Sequence, residues 1–394
     1  MKMARTFAGI FALLLGLGLA PGARAVEDYQ LHVILPLTGN AAFIGQEQQQ
    51  MLELVRASVN RSGGIQGRDL RFVYHDDQTS PQVAVQLSND VLATHPSVIL
   101  GSAITAMCNA MAPLMQDGPV MYCTSPGIHP AAGSYVFSAF IQTGDLGEAL
   151  VRYFHLKGWT RIAMLSSTDA TGQDADRGID HALTLPENAA VKMVEHPHFN
   201  ATDLSVTAQI ERIKAAGAQA MIAWTTGAQI ATIFKGIAQA GLDIPVGTTP
   251  GNQQFQQLSQ YVGFLPKQLL IPSASYPEHE GVITLDARVE QKQQEMYALL
   301  KSAKLRADNA TGTAWDPALI VIDALRKLGP NATAAQIRDY IGNLTDFAGI
   351  DGIYDFKKVP QRGIGIDSAV LVTYDPKGQR WVWLSKPGGE PLKR

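Results

Sequence analysis

Short apolar segments alternate with helix-like segments along this chain, and that alternation limits the folds open to it. In the first third, residues 29–36, 70–75, 98–100 and 119–123 have the composition of buried strands, and helix-like or loop segments separate them. Strands that are joined through helices by short links form a parallel sheet covered by helices on both faces. The sequence therefore predicts an α/β fold with a doubly wound parallel sheet.

The same alternation begins again after Gly144 and predicts a second lobe of the same kind. The chain has 394 residues, which is more than one ordinary core contains. After Pro272 the pattern changes to long helical stretches, and the chain ends in a hairpin around the turn Asp375-Pro376-Lys377-Gly378. The predicted strands of the second lobe are residues 161–166, 190–195, 220–224 and 268–271.

The N-terminal segment has the features of a secretory signal peptide. Lys2 and Arg5 precede the apolar run 7–19, and Ala23-Arg24-Ala25 places small residues at the two positions that a signal peptidase reads. We interpret residues 1–25 as a signal peptide that is cleaved after Ala25. An uncleaved membrane anchor is disfavoured, because it needs about 18 uninterrupted apolar residues and glycines and a proline interrupt this run. The mature chain is therefore predicted to be exported.

The charge and the histidine spacing exclude several classes of partner. The formal net charge is -3, and no basic run is interleaved with aromatic residues. We therefore expect no nucleic-acid partner. His32, His75, His95 and His129 fall at no metal-ligand spacing, and two cysteines are too few for a zinc site. The expectation is that the chain holds no metal ion.

Cys108 and Cys123 are the two cysteines of the chain. In an oxidising compartment, two cysteines that lie this close in sequence favour a disulfide, and closing such a loop stabilises a protein by about 3 kcal/mol in the chain-entropy model. The alternative is a pair of buried thiols that pack as small apolar groups. Both alternatives give these residues a structural role.

Catalytic motifs are missing from the sequence. It contains no Gly-x-Ser-x-Gly elbow, no phosphate-binding Gly-Lys-Ser loop, and no Gly-x-Gly-x-x-Gly after its first strand. Asp76-Asp77 resembles a pair of catalytic carboxylates, but adjacent residues of a strand point to opposite faces of the sheet. We expect no enzymatic activity, no catalytic residue and no cofactor.

The segment 97–108 is the strongest candidate for a binding site. A buried strand ends there in Gly101-Ser102, and helix-compatible residues resume near Thr105. The first amide groups of a helix have no partners within the helix, so that a carboxylate at this place gains hydrogen bonds and favourable charge. The alternative is that Ser102 or Thr105 only caps the helix.

Three motifs carry a resemblance to a known family. They are Pro36-Leu37-Thr38-Gly39 with Gly45, the segment 60–68 (NRSGGIQGR), and Asp76-Asp77-Gln78 with Pro81 and Ala84. In this order and spacing they resemble the opening of the leucine/isoleucine/valine-binding protein family, which comprises periplasmic solute receptors of ABC importers. The resemblance implies a monomer that delivers a small solute to ABC permease membrane subunits.

The resemblance also implies the type I periplasmic binding protein fold, in which three crossovers join two lobes. We expect the crossovers near residues 139–143, 272–276 and 353–357. The predicted first lobe comprises residues 26–140 and 275–354, and the predicted second lobe comprises residues 141–274 and 355–394.

The ligand of such a fold lies beyond the carboxyl ends of the strands, in the cleft between the lobes. The resemblance implies that a carboxylate is held by a hydroxyl and amides after the third strand and by the loop after the fourth strand. The loop 124–130 is one residue shorter than usual, so that either Pro126 and Ile128 or Gly127 and His129 face the ligand. The candidate ligand-binding residues are Phe43, Ser102, Ala103, Thr105, Ser125, Gly127, Ile128, His129, Asp169, Thr171, Thr226, Thr249 and Trp315.

Two departures from the family pattern concern the solute. Family members commonly hold the ligand ammonium with an acid in the loop that matches residues 246–252, and this loop has no acid. The usual Tyr-Gly after the first strand of the second lobe is Thr171-Gly172. Burying an unpaired ammonium costs several kcal/mol. The hypothesis is therefore a carboxylate solute without an amine, an aromatic or branched organic acid.

Several alternatives stay open. Asp169 could hold an ammonium from another direction, which would allow a branched-chain or other amino acid. Phe43 is a candidate apolar wall, whereas Trp224 and Trp315 are equally compatible with core packing. A ligand-binding sensor or chemotaxis component is the alternative to uptake.

Overall fold

The computed structural model of the protein describes residues 27–279 and 281–393. The predicted signal peptide, residues 1–25, lies outside these residues. None of the helices in the described part combines the length and the apolar character that crossing a membrane requires.

The first lobe is built on a five-stranded parallel sheet with the order β2-β1-β3-β4-β5. Four of its strands lie where the sequence predicts them, and β5 was not predicted. The elements are β1 (Tyr29–Leu35), α1 (Ala42–Arg61), β2 (Leu70–Asp76), α2 (Pro81–Leu92), β3 (Val98–Leu100), α3 (Thr105–Met111), β4 (Val120–Cys123) and β5 (Val136–Ser138).

The second lobe repeats this arrangement on its own sheet, in which the order β7-β6-β9-β10-β11 has the same pattern as the first. A short strand, β8, also pairs with β6. The elements are α4 (Thr143–Leu156), β6 (Arg161–Ser167), α5 (Ala170–Thr184), β7 (Lys192–Glu195), β8 (His198–Phe199), α6 (Thr207–Ala215), β9 (Ala220–Trp224), α7 (Ile230–Gln239), β10 (Val246–Thr248), α8 (Phe255–Ser259) and β11 (Leu269–Ser273).

The last part of the chain contributes to both lobes. Helix α10 packs along α1 of the first lobe, and the terminal hairpin extends the second sheet antiparallel to β11. The second sheet is therefore mixed rather than purely parallel. The elements are α9 (Ala287–Ser302), α10 (Asn309–Leu328), α11 (Ala334–Gly342), β12 (Phe347–Ala348), β13 (Ile353–Tyr354), β14 (Val370–Asp375) and β15 (Arg380–Trp383).

Strand β1 explains why a continuous apolar run forms the centre of the first sheet. Val33 and Leu35 belong to the core cluster on the side of α1 and α10, and Ile34 belongs to the cluster under α2 and α3. Neighbouring side chains of a strand point to opposite faces, and here helices cover both faces. A strand buried on both faces has no need of alternating polar residues.

Three segments connect the lobes. The first lies between β5 and α4, and the second lies between β11 and α9. The third runs from β13 to β14 and is longer than the predicted 353–357, because the chain stays attached to the first lobe. There the Ser138 N–H donates to the Gln361 carbonyl over 2.9 Å. Arg362 donates from the same segment to backbone carbonyls beside the first connection, at Ala139 and Phe140.

Cys108 of α3 and Cys123 at the end of β4 form a disulfide, with 6.3 Å between their Cα atoms. Both residues are fully buried. The bond joins the helix that follows β3 to the strand whose end leads into residues 124–130. It therefore fixes two neighbouring strand-end loops relative to each other.

Candidate functional site

A cavity lies between the lobes, at the carboxyl ends of both sheets. Each sheet reverses its strand order between its first and third strands, at β1/β3 and at β6/β9, and ligands of open α/β sheets bind at such points. In this structure about 30 Å³ of the cavity is open to the centre of a water-sized sphere. Its lining residues are Ile44, Gln48, Ala103, Ile104, Thr105, Thr124, Ser125, Pro126, Thr143, Thr171, Trp224, Thr226, Thr249, Pro250, Gly251, Asn309 and Thr313.

The first lobe contributes a group of hydroxyls to the lining. The Thr105 and Ser125 hydroxyl oxygens lie 2.9 Å apart, and both residues are buried. Gln48 Nε2 donates to the Thr124 and Thr313 hydroxyl oxygens over 3.2 and 3.0 Å. These contacts fix the hydroxyls in the cavity wall, and each hydroxyl retains capacity to bond a solute.

The second lobe contributes the opposite wall. Trp224 ends β9 and is 1% exposed, and Thr226 follows it. The Thr249 hydroxyl accepts a long hydrogen bond of 3.4 Å from the Gly251 N–H. A Cβ atom at position 251 would lie 2.7 Å from Thr226 Cγ2, so that only glycine allows this close approach. This wall therefore combines one large aromatic surface with four threonines, because Thr143 and Thr171 also line it.

Contacts across the cleft hold the lobes together in this structure. The Ala228 N–H donates to the Asn40 carbonyl over 3.2 Å, and the Asn309 N–H donates to the Gln253 carbonyl over 2.9 Å. His129 Nε2 lies 2.6 Å from Asp174 Oδ1. Each pair joins one residue of the first lobe to one residue of the second, so that the structure represents the closed form.

No ionisable side chain is present among the described residues that line the cavity. A pair of carboxyl groups lies directly behind the wall, at Glu47 of α1 and at Asp308, the N-cap of α10. Burial, and then the neighbouring Asp308 charge, raise the pKa of Glu47 to about 10. Burial also raises the pKa of Asp308. At neutral pH the pair therefore keeps a proton, through which the Glu47 and Asp308 side chains bond to each other.

Glu47→Gln is expected to remove a dependence of stability on pH. The pKa of Glu47 lies above its ordinary value of 4.5 in the folded protein. The folded state therefore binds more protons than the unfolded state, and stability falls as the pH rises through this window. We expect the variant to gain stability relative to the wild-type protein between pH 5 and pH 8, as measured by thermal unfolding. Glu53→Gln on the same helix is the control, and an identical pH profile for Glu47→Gln and wild type would contradict the assignment.

The structure brings six of the predicted ligand-binding residues into the cavity wall and leaves seven outside it. The six come from strand-end loops of both lobes, namely Ala103, Thr105, Ser125, Thr171, Thr226 and Thr249. The seven that do not line the cavity are Phe43, Ser102, Gly127, Ile128, His129, Asp169 and Trp315.

Three of these seven have structural partners instead. Helix α1 begins at Ala42, earlier than predicted, so that Phe43 lies in its first turn rather than in a loop. The Ser102 hydroxyl donates to Asp77 Oδ2 over 2.6 Å in a buried site. Asp169 caps α5 by accepting from the Thr171 and Gly172 N–H groups.

The short loop after β4 presents Pro126 to the cavity. Gly127 packs against Thr105, and a Cβ atom at position 127 would lie 2.4 Å from Thr105 Oγ1. Ile128 is buried in the core under α2 and α3, and His129 contacts Asp174. Thr124, Ser125 and Pro126 of this loop therefore line the cavity, whereas residues 127–129 support it by packing.

Trp315 belongs to the core, at 3% exposed, whereas Trp224 lines the cavity. The alternative that Ser102 or Thr105 caps α3 is wrong, because the N-cap of α3 is Ile104 and no side chain caps it. The Thr105 hydroxyl bonds to Ser125 instead.

Sequence reasoning missed several wall residues. Ile104, Thr124, Pro250 and Gly251 lie in strand-end loops that the sequence indicates, although they are not among the predicted ligand-binding residues. Gln48, Asn309 and Thr313 lie on helices that no local pattern connects to the site. Ile44 and Thr143 complete the missed residues.

Two lobes of this topology with a cavity between them define the type I periplasmic binding protein fold. A family profile described as periplasmic binding protein matches residues 29–379, and the chain belongs to this family. The family binds solutes and is not an enzyme family.

Relatives and solved structures agree with this assignment. The leucine-, isoleucine-, valine-, threonine- and alanine-binding protein of Pseudomonas aeruginosa is 23% identical over 59% of this chain and 63% of its own length. Matches to two further curated relatives span 54% and 44% of their lengths. A type 1 periplasmic binding protein from Bordetella pertussis has a TM-score of 0.78 at 20% identity, covering 93% of this chain and 100% of its own. A solute-binding protein of an ABC transporter from Rhodopseudomonas palustris, in complex with benzoate, has a TM-score of 0.77 at 17% identity, covering 93% of this chain and 98% of its own.

Proposed function

We propose that the protein is a periplasmic solute receptor of an ABC importer and that it traps a small organic acid between its lobes. The observation that carries this proposal is the composition of the described cavity wall, which holds eight hydroxyl side chains and two amides but no ionisable group. In this proposal the protein acts as a monomer, and the closed form is what the membrane permease subunits recognise.

A carboxylate fits the part of the wall at Thr105 and Ser125, where hydroxyl and N–H groups can donate to it. The Thr124 and Thr313 hydroxyls already donate to the carbonyls of Ser102 and Asn309. Hydrogen bonds to a charged acceptor each contribute about 1.5–3 kcal/mol. Thr105 and Ser125 offer two hydroxyls within one carboxylate's reach, since their oxygens lie 2.9 Å apart. The first N–H groups of α3, at Thr105 and Ala106, have no carbonyl partner within their own helix. The proposed carboxylate therefore lies at the junction of α3 and the loop after β4.

An ammonium group fits the same wall less well. Its charge would be removed from water, and no carboxylate among the described wall residues would compensate for it. Asp169, the acid that the sequence offered for this role, is occupied as the cap of α5. We infer that the preferred solute lacks an amine.

The apolar part of the solute has three candidate contacts. Ile44 and Ile104 lie on the first-lobe side, and the Trp224 ring lies on the second-lobe side. A flat or branched hydrocarbon group between them would bury apolar surface on both lobes. The benzoate complex of the Rhodopseudomonas palustris protein is a precedent for an aromatic acid in this fold.

A solute that contacts both lobes can drive their closure. A solute shifts the equilibrium toward the closed form only if it binds that form better than the open one. A carboxylate held by the first lobe and an apolar group held by Trp224 of the second lobe meet this requirement. The three connecting segments would act as hinges, in which the backbone dihedral angles change when the lobes close.

A second candidate function is uptake of an amino acid, which the name of the Pseudomonas aeruginosa relative suggests. The Glu47 and Asp308 pair favours it, because these carboxyl groups adjoin the wall residues Gln48 and Asn309. Loss of the shared proton would leave a carboxylate for a ligand ammonium. Glu47→Gln would then weaken binding of an amino acid and leave binding of a simple acid unchanged.

Calorimetric titration with matched compounds tests the proposal. The protein is first unfolded and refolded, which removes any carried-over ligand. Leucine and 4-methylpentanoate share one carbon skeleton and differ in the amine, and 4-methylpentanamide lacks the carboxylate charge. Benzoate tests the aromatic class. We expect one of the two acids to bind at least tenfold more tightly than leucine, and the amide to bind more weakly than the acid.

Tight binding of leucine without binding of either acid would reject the organic-acid proposal in favour of the amino-acid candidate. Deletion of the gene distinguishes transport from sensing. Loss of uptake supports the importer role, whereas loss of signalling with intact uptake would support a sensor.

A further inference from the structure

A cluster of two histidines and one aspartate lies in the second lobe, outside the cavity wall. Asp176 is in helix α5, His196 follows β7, and His198 is the first residue of β8, with Pro197 between the two histidines. The three side chains each offer one ligand atom, and these atoms all lie within 4.8 Å of one another. We propose that this cluster binds a divalent transition-metal ion of the zinc class.

The geometry brings both imidazoles to one carboxylate. His196 Nε2 lies 3.0 Å from Asp176 Oδ1, and His198 Nε2 lies 2.9 Å from Asp176 Oδ2. Zinc bonds to nitrogen and carboxylate oxygen are about 2.1 Å long, so that two ligand atoms of a tetrahedral zinc lie about 3.4 Å apart. The two histidine–aspartate distances are a few tenths of an ångström below this spacing, and all three ligand atoms lie within 4.8 Å of one another, so that side-chain rotation would place them around one ion.

The local chain conformation prepares this arrangement. His196 and His198 are two residues apart in extended backbone, which directs their side chains to the same side. Pro197 between them is buried, and the two rings lie with their centroids 4.7 Å apart. The Ser166 hydroxyl donates to Asp176 Oδ1 over 2.7 Å and orients the carboxylate, as outer-shell partners of metal ligands commonly do.

The chemistry of the set selects the type of ion. Two imidazoles and one carboxylate suit zinc and its neighbours in the transition series, whereas magnesium and calcium prefer oxygen ligands alone. The side chains of Asp176, His196 and His198 are 19%, 21% and 43% exposed, so that an ion has a path from solvent and water has access to a fourth position.

Binding would fix the middle of α5 to the β7–β8 connection. Thr171, in the first turn of the same helix, lines the cavity, and Asp174 contacts His129 across the cleft. The proposal concerns metal binding alone and does not depend on which solute the cavity takes.

Titration of the tag-free chain without its predicted signal peptide tests the proposal, using ZnCl₂ with MgCl₂ as the comparison. We expect one equivalent of zinc to bind and to raise the melting temperature, because an ion that binds only the folded state stabilises it. We expect no such effect from magnesium. His196→Ala, His198→Ala and Asp176→Asn should each weaken zinc binding at least tenfold.

His181→Ala is the matched control, because His181 is an exposed histidine on the same helix and lies outside the cluster. It should leave zinc binding unchanged. Asp176→Asn preserves the shape of the side chain, so that it reports on the metal even where an alanine variant unfolds. Absence of zinc binding to the wild-type chain, or zinc binding that survives Asp176→Asn and both histidine substitutions, would show that the cluster is only a hydrogen-bonded ion pair.

Discussion

Thr105→Val combined with Ser125→Ala is expected to weaken binding of the organic acid at least 100-fold. The two hydroxyls lie in the cavity wall and are both buried, at 4% and 1% exposed. Each substitution removes one hydrogen bond to the carboxylate, which contributes about 1.5–3 kcal/mol to binding. A change of about 1.4 kcal/mol corresponds to a factor of ten in affinity. Isothermal titration with the acid that binds the wild-type protein measures the change.

The substitutions are chosen so that the fold survives. Valine has the shape of threonine and keeps the packing of Thr105 against Gly127, where the space is smallest. Thr168→Val is the matched control, because Thr168 is exposed and its hydroxyl bonds to Asn200 rather than to the cavity. Each single variant should lose about tenfold. Unchanged affinity in the double variant would show that the carboxylate of the solute does not bind at Thr105 and Ser125.

Arg362→Met is expected to reduce the free energy of unfolding by about 3–5 kcal/mol, because removing a buried charged donor leaves its partners unsatisfied. The guanidinium is 5% exposed and donates to the carbonyls of Pro126, Ile128, Ala139 and Phe140. Burial lowers the pKa of Arg362 to about 10, which still leaves the side chain charged at neutral pH. Urea unfolding measures the loss as a lower midpoint.

The size of this effect follows from the position of Arg362 between the lobes. It ties the loop after β4 to the first connecting segment, and methionine fills similar space without any donor. The stability of Arg362→Lys should lie between those of the wild-type protein and Arg362→Met, because lysine keeps the charge but has fewer donors in a different geometry. Arg212→Met is the control, since its side chain is 64% exposed and pairs only at the surface with Glu195. A loss below about 1 kcal/mol, the range of a surface pair, would contradict the structural role.

Local patterns identified the elements and missed the ends of some of them. The buried run of β1 and the helical spacing of α1 are properties of short segments, and both were predicted from the sequence. Helix α1 starts at Ala42, although Ala42 and Gly45 in its first turn give this segment the composition of a loop. Strand β5, Val136–Ser138, was not predicted, although the equally short β3 was.

The strand-end rule located the cleft but not the direction of every side chain. Thr105 and Ser125 follow buried strands and line the cavity, as predicted. Ser102 also follows a strand, yet its hydroxyl turns inward to Asp77. Phe43 and Asp169 have roles in a helix turn and a helix cap, which the sequence alone did not distinguish from ligand contact.

By itself, the sequence determined that the chain forms two α/β lobes of one known family, because strand and helix periodicity and the motifs near the N-terminus are local properties. Only the tertiary structure decided which side chains share the cavity. Gln48 and Thr313 are 265 residues apart and bond to each other in its wall. His196, His198 and Asp176 likewise meet only because β7, β8 and α5 pack together. Such contacts depend on the rotation of each helix and on closure of the lobes, which arise from packing of the whole chain rather than from any one segment.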